Sequence, residues 1–439
     1  MNKQLFGTDG IRGVAGQYPL DARTAYAFGA ALGHWARSHS DSHSQVLLGM
    51  DTRESGPWLA ETVAAGLATE NVSARFAGLI TTPGVAYLTR TEDFVAGVMI
   101  SASHNPFHDN GLKAFDHSGY KLPDDEELRL EESIFARLKD VTPSRLPLPV
   151  DEALDERYID YLAASCPARL DGLKLVIDCA HGASAHLAPE LFRRLGANVE
   201  AIGCSPDGRN INEGVGALHT DHLRAAVLAH EADAGVAFDG DADRCMIVSH
   251  SGKLIDGDHI LLLNAVAMHA PLVVATVMSN LGLERALRAA GIRMSRTPVG
   301  DKYVLEEMIR SEAMIGGEQS GHIIFREFAT TGDGLLTALR TLGAMKASDQ
   351  TLDELTSTLE IYPQLLVNVR VKERRKLQDL PGVQAEIRRV EQELGDNGRV
   401  LVRFSGTEPL ARVMVEGPTL QSVQTYADAI ASQIKTELG

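Results

Sequence analysis

The chain has 439 residues, with 42 Lys and Arg against 59 Asp and Glu, and therefore a formal net charge of −17 with His neutral. Such an excess opposes nucleic-acid binding, which rests on basic residues displacing phosphate counterions. With 44% hydrophobic and 23% charged residues, the composition is that of a folded globular protein of roughly three domains at about 150 residues each.

The stretch Met1 to Gly10 carries one Lys and no apolar run before its glycines, so no secretory signal is expected and the protein is placed in the cytoplasm. An apolar strand, a polar turn, an amphipathic helix and a Gly-led second strand then recur three times. The first copy runs from Gln45–Gly49 through a helix over 59–67 into Ala74–Gly78. The second spans Lys174–Asp178, a helix over 187–195 and Gly196–Val199, and the third Leu272–Met278, 283–289 and Gly291–Met294. Alternating strands and helices predict an α/β protein with mixed sheets covered on both faces. Asp124 to Glu127, after Pro123, sit where a helix should begin, with carboxylates toward the positive end of its dipole. Pro143, Pro147 and Pro149 mark a linker. The apolar stretch Ile260–Met278, broken by Asn264, His269 and Pro271, reads as a helix followed by a strand, so no membrane partner is expected. After Tyr362–Pro363 the order becomes strand, helix, hairpin, helix, a small α+β domain. The expected domains are 1–150, 151–252, 253–363 and 364–439. Cys166, Cys179, Cys204 and Cys245 show no metal or disulfide spacing and are expected to be reduced.

Four loops could carry chemistry. Ser101-Ala102-Ser103-His104-Asn105-Pro106 follows an apolar strand, with Lys113 close behind. It is either a turn or a strand-end Ser nucleophile with His104 and Lys113 managing protons. Asp239-Gly240-Asp241-Ala242-Asp243-Arg244 interrupts two apolar strands with three carboxylates, which repel unless a cation joins them. Arg244 and His250 stand where a calcium EF-hand loop needs Gly and Glu, so a solvated acidic turn or a Mg²⁺ site remains. Gly317-Glu318-Gln319-Ser320-Gly321-His322 is a bulged hairpin or a site for hydroxyl-rich ligands. Arg403-Phe404-Ser405-Gly406-Thr407 has the donors of a phosphate cradle. Neither a Walker loop nor a dinucleotide fingerprint is present, which disfavours nucleotide-driven chemistry.

The four loops together, in this order, resemble the α-D-phosphohexomutase family over essentially the whole chain. Phe6-Gly7-Thr8-Asp9-Gly10-Ile11-Arg12-Gly13, Gly317 to His322, Ala329 to Gly334 and Ser405 to Pro409 resemble the branch acting on glucosamine phosphates. The resemblance implies three related α/β domains and a TATA-binding-protein-like fourth, arranged as a heart with a central cleft, and a possible homodimer. It makes Ser103 a phosphoserine, and Asp239, Asp241 and Asp243 the holders of Mg²⁺ together with an oxygen of Ser103. Arg12 and Arg244 would orient the transferring group, and Lys113, His104 and His322 would be acid/base or electrostatic candidates. Glu318 and Ser320 would bind sugar hydroxyls, and Arg403, Ser405, Gly406 and Thr407 the idle phosphate. The implied reaction passes through glucosamine 1,6-bisphosphate; the same chemistry on mannose or glucose phosphates, a Ser103 phosphatase and a non-catalytic ion binder are the alternatives. Met50 and Lys302 depart from the family pattern, where basic residues and Arg are expected.

Overall fold

The computed structural model describes residues 3–7, 9–40, 44–373, 375, 377–404 and 409–439. Two compact units result, Met1–Val277 with Ser295–Thr356, and Met278–Met294 with Ser357–Gly439.

The first unit opens with β1 (Phe6–Gly7), β2 (Gly10–Val14), α1 (Ala22–Ser38), β3 (Gln45–Met50), α2 (Gly56–Thr69), β4 (Ser73–Leu79), α3 (Thr82–Thr91), β5 (Ala96–Ile100), β6 (Asp109–Asp116) and α4 (Asp124–Leu138). Its six-stranded sheet has the order β1-β2-β6-β5-β3-β4. β3 is parallel to β4 and β5, whereas β5 and β6 are antiparallel, so the sheet is mixed as expected. Every residue of β5 is buried, the signature of a strand covered on both faces. α1 and α2 cross with their backbones in contact, because a Cβ on Gly29 would strike Val63 and one on Gly66 the Tyr26 carbonyl. α4 starts with Asp124 to Glu127, as the dipole argument requires. Its buried Glu131 accepts from the backbone N–H groups of Gln4 and Leu5 at 2.7 Å and of Phe6 at 3.1 Å, anchoring the segment that carries Arg12.

Residues 141–149 hold no helix or strand. Beyond them come α5 (Ala153–Ser165), β7 (Lys174–Asp178), α6 (Leu187–Arg194), β8 (Asn198–Ile202), α7 (Thr220–Ala229), β9 (Ala234–Phe238), β10 (Cys245–Ser249) and β11 (Leu254–Ile255), with sheet order β11-β10-β9-β7-β8. Ser251 and Gly252 lie in the turn between β10 and β11 of this sheet. Then follow α8 (Gly257–Ala267), β12 (Leu272–Thr276), α9 (Leu281–Ala289), β13 (Arg293–Thr297), α10 (Asp301–Ser311), β14 (Ile315–Gly317), β15 (Ile323–Phe325), α11 (Gly334–Ser348) and α12 (Leu352–Leu355), and the third sheet has the order β13-β12-β14-β15. The three expected strand–helix–strand units are present as β3–α2–β4, β7–α6–β8 and β12–α9–β13.

The second unit contains β16 (Gln364–Arg370), α13 (Pro381–Leu394), β17 (Arg399–Phe404), β18 (Leu410–Glu416) and α14 (Leu420–Leu438), an antiparallel sheet in the order β16-β18-β17 with two helices. Val369, Val390, Val413, Ile430 and Ile434 belong to its core. Residues 278–294 join this unit because Asn280 bonds to the Tyr362 carbonyl at 2.9 Å and accepts from the Tyr362 N–H at 3.0 Å. Among the described residues no helix is long and apolar enough to cross a membrane. All four cysteines are free thiols.

Candidate active site

Ser103 lies on the loop leaving β5, 2% exposed, with a left-handed φ of 53°. Its Oγ donates to Asp239 at 2.7 Å and lies 3.3 Å from His104 Nδ1. Arg53 holds this loop from below. Its guanidinium donates to the carbonyls of Ser103 and Asn105 at 2.8 Å, Asp109 at 3.1 Å and Pro106, while Nε pairs with Asp51 at 2.9 Å. Asp51 in turn accepts from Ser101 Oγ at 2.6 Å, and Ser101 Oγ accepts from the Ser103 N–H at 2.9 Å. A buried charge is stable only when so fully bonded. The left-handed turn at Ser103 is thus clamped through its backbone, leaving the hydroxyl free to face the carboxylates.

The three aspartates occupy the β9–β10 turn, and their ligand oxygens lie within 4.8 Å of one another. Asp239 and Asp241 are fully buried, and Asp241 Oδ1 and Asp243 Oδ1 have no hydrogen-bond partner. Burial, followed by the charges of Asp243 and Asp241, pushes the Asp239 carboxyl well up; burial and then Asp241 push Asp243 up as well. Burial also opposes ionisation of Asp241, but Lys113, donating at 2.7 Å, holds that carboxyl below its usual range. Lys113 bonds Asp241 and Arg244 reaches Asp243 only at 3.9 Å, so two cations face three carboxylates, and the orphaned oxygens supply hard ligands. The triad therefore suits a divalent metal ion. A Cβ on Gly240 would lie 2.6 Å from the Ser103 carbonyl, so only glycine lets this turn meet the Ser103 loop.

Lys113, on β6 and 1% exposed, also pairs with Asp9 at 2.9 Å. Burial disfavours its charge, but Asp241 and Asp9 outweigh that and raise its pKa. Burial, with the Arg244 and Arg12 charges, lowers the His104 imidazole to about 4, so it is neutral at pH 7. Arg12, on β2, pairs with Asp9, and Arg244 Nε lies 3.9 Å from Asp243. Across a cavity of about 390 Å³ lined by Arg12, Ser103, Arg244, Asp301, Glu318 and His322 stands the β14–β15 loop. Glu318 accepts from the Gly300 N–H at 3.0 Å and lies 3.5 Å from Ser320 Oγ. His322 is 4% exposed, both of its ring nitrogens lack a hydrogen-bond partner, and Nε2 is 3.9 Å from Asp243 and Asp301.

The structure thus gathers Arg12, Ser103, His104, Lys113, the three aspartates, Arg244, Glu318, Ser320 and His322 within the first unit. Arg403 lies on β17 in the second, opposite Arg412, and its pKa is lowered by burial and by that neighbouring charge. Ser405, Gly406 and Thr407 lie outside the described residues. Three partners carried no signal of their own: Lys121, which pairs with Asp9 at 2.5 Å and with Asp301 at 2.6 Å, Asp301 itself, and Arg53 as a backbone clamp. Lys302 is ion-paired with Asp124 of α4, and Met50 packs on Gly56.

A mixed-sheet scaffold with a buried Ser on a triple carboxylate defines the class. Residues 3–140, 156–252 and 256–362 match the alpha/beta/alpha domains I, II and III described for phosphoglucomutase/phosphomannomutase, and residues 366–433 match its C-terminal domain. The chain belongs to this family, the phosphohexomutases that its motifs resemble. It is 61% identical to a phosphoglucosamine mutase of Solibacter usitatus over 447 aligned positions, covering 100% of both chains. A phosphoglucosamine mutase of Anaeromyxobacter is 46% identical, covering 100% of this chain and 96% of that one. Among solved structures, a phosphoglucomutase/phosphomannomutase family protein from Burkholderia thailandensis superposes with a TM-score of 0.81 at 22% identity, covering 98% of this chain and 97% of that chain. An Aspergillus fumigatus N-acetylphosphoglucosamine mutase, solved with GlcNAc-6P and magnesium, gives 0.67 at 20% identity, covering 100% and 96%.

Proposed function

We propose that the protein is an isomerase interconverting glucosamine 6-phosphate and glucosamine 1-phosphate through a phosphorylated Ser103. The observation that carries the reading is Ser103 Oγ on Asp239 at 2.7 Å, within a buried triple carboxylate. Full-length identity to phosphoglucosamine mutases supports the choice of sugar. Asp239, Asp241 and Asp243 would hold one Mg²⁺ per subunit beside an oxygen of the phosphorylated Ser103, supplying neutralisation of the phosphoryl charge.

The remaining steps belong to the chain's own residues. The sugar hydroxyl attacks phosphorus, its O–P bond forms as the Ser103 O–P bond breaks, and its proton passes to a nearby base. Arg12 and Arg244 orient the phosphoryl oxygens. Lys113, bound to carboxylates, stays charged and acts electrostatically, whereas His104, neutral at pH 7, can accept a proton, and His322, whose ring nitrogens are unbonded, stands as the second candidate. Glu318 and Ser320 take sugar hydroxyls, and Arg403, Ser405, Gly406 and Thr407 the phosphate not in transfer. Glucosamine 1,6-bisphosphate then turns over and returns its other phosphate to Ser103. The Ser, metal, sugar and phosphate loops fall one each in domains 1–150, 151–252, 253–363 and 364–439.

The product would feed UDP-N-acetylglucosamine and cell-envelope synthesis. Charged sugar phosphates do not cross membranes unaided, so a cytoplasmic site goes with the reading, as does a homodimer and no nucleic-acid or membrane partner. Competition among glucosamine, glucose and mannose 6-phosphates, on protein whose Ser103 phosphorylation is measured by intact mass, tests it. Equal or greater turnover of glucose or mannose phosphate sinks the glucosamine assignment. Phosphate release matching product formation sinks the mutase in favour of a phosphatase, and full activity in Ser103→Ala sinks both.

A further inference from the structure

β7 and β8 run parallel in register, Asp178 opposite Ile202, and each strand is followed closely by a cysteine. The Cys179 N–H donates to the Ile202 carbonyl at 3.2 Å, Cys204 Sγ donates to the same carbonyl at 3.2 Å, and the two thiols are close enough to shift each other's ionisation. Cys179 is fully buried, whereas Cys204 is half-buried. Cys204 also lines a cavity of about 410 Å³ together with Met50, Thr52, Ala77, Gly182 and His186. Their environments differ in the direction a reactive pair requires. The nearby Cys179 thiol, against the effect of burial, lowers the Cys204 pKa, while burial and then Cys204 push Cys179 well up. One sulfur is accessible and biased toward thiolate; its neighbour is sealed and protonated.

The chain leaving Cys179 backs the catalytic loops. Ala180 and His181 have left-handed φ values of 53° and 50°. The His181 carbonyl accepts from Thr52 Oγ1 at 2.6 Å, and the Ala183 N–H donates to the Gly240 carbonyl of the aspartate turn at 2.8 Å. Asn212, whose N–H donates to the Ala180 carbonyl at 2.9 Å, extends Nδ2 to the Ser103 carbonyl at 3.0 Å. A disulfide brings two sulfurs to about 2.05 Å, closer than two free thiols approach. Its formation must therefore displace Cys179, Cys204 or both, next to a wall shared with Gly240 and Ser103.

We infer that Cys204 and Cys179 form a thiol pair that a hydroperoxide oxidises to an intramolecular disulfide, and that this closure slows turnover at the neighbouring site. Cys204 thiolate attacks the terminal oxygen of the hydroperoxide: an S–O bond forms, the O–O bond breaks, and the alkoxide leaves as alcohol after taking a proton from water. Cys179 sulfur then attacks the sulfenic sulfur. The S–S bond forms, the S–O bond breaks, and the hydroxyl leaves as water with the Cys179 proton. Two electrons pass from the thiols to the peroxide, and an external dithiol reverses the change.

The test is to treat the reduced full-length protein with tert-butyl hydroperoxide, counting thiols under denaturing conditions and mapping linked peptides. The expected result is loss of two of the four thiols, a 179–204 linkage, a several-fold fall in kcat, and recovery of both with dithiothreitol. Cys204→Ser keeps its basal activity and resists the peroxide, and Cys179→Ser leaves a sulfenic acid at Cys204 that dimedone traps. First oxidation at Cys166 or Cys245, a sulfinate at Cys204 without linkage, or a linked protein of unchanged kcat overturns the inference. Because thiol counting needs no substrate, failure of this pair is distinguishable from failure of the proposed activity.

Discussion

Replacing Asp239 with Asn should make the metal-free protein more stable while nearly abolishing catalysis. Carboxylate oxygens within 4.8 Å of one another repel by about 3 kcal/mol per pair at an effective dielectric of about 20. Asp239 takes part in two of the three pairs, and Lys113 sits on Asp241 rather than on it. Some of that repulsion is already relieved, because burial and the Asp243 and Asp241 charges push the Asp239 carboxyl up. A net gain of about 2 kcal/mol is therefore expected, raising Tm by about 3 °C for a unit of this size. An amide oxygen can still accept from Ser103, so the hydroxyl stays in place. Activity should fall by at least about 100-fold, since charge neutralisation at the phosphoryl group is worth several kcal/mol. Scanning fluorimetry in EDTA, followed by Mg²⁺ titration, reads both effects: Mg²⁺ should raise the Tm of the wild type and much less that of the variant. A metal-free variant melting below the wild type, or one with an equal Mg²⁺ shift, would refute the reasoning.

Arg53→Lys removes at least two of the bonds that hold the Ser103 loop, because an ammonium has three donors where the guanidinium meets four carbonyls and Asp51. At about 1.5 kcal/mol per charged bond, a loss of about 3 kcal/mol is expected, with kcat falling more than KM; an unchanged melt and unchanged kcat would contradict the clamp. Gly240→Ala places a Cβ 2.6 Å from the Ser103 carbonyl, and separating the two loops by about 1 Å should cost about 100-fold in kcat. Steady-state kinetics within twofold of wild type would count against that packing. Asp333, N-cap of α11 and acceptor of the Tyr158 hydroxyl at 2.9 Å, is pushed up by burial to about 6. Its folded carboxyl holds a proton more tightly than the unfolded one, so this group destabilises the fold above about pH 6 and ceases to do so as pH falls toward 4. The advantage of Asp333→Asn over the wild type should therefore grow from pH 4 to 6 and plateau near 3 kcal/mol at most. Denaturant melts giving a pH-independent difference would exclude this assignment.

The element pattern was legible because it is one-dimensional. Fully buried strands such as Ala96–Ile100 and Ala234–Phe238 read as apolar runs, and Asp124 to Glu127 announced a helix start. Ser103 and the three aspartates were legible as chemistry for a related reason: crowded carboxylates and a strand-end hydroxyl are conspicuous wherever they occur. Ranking Lys113 against His104 was not, since their charge states follow from burial and from neighbours more than a hundred residues away, Asp241 for one and Arg244 for the other.

What the amino-acid order determined by itself was the sequence of strands and helices, the α/β class and the set of reactive loops. Tertiary structure alone decided which of those groups meet. Arg53 reads as an ordinary basic residue until folding buries it beneath five acceptors. Lys121 becomes a link between Asp9 and Asp301 only when residues 180 positions apart are packed together. Cys179 and Cys204, with no spacing to mark them, become neighbours because two parallel strands end in register. Periodicity reports which face of an element is buried, whereas the partner it is buried against depends on chain crossings that no local pattern encodes.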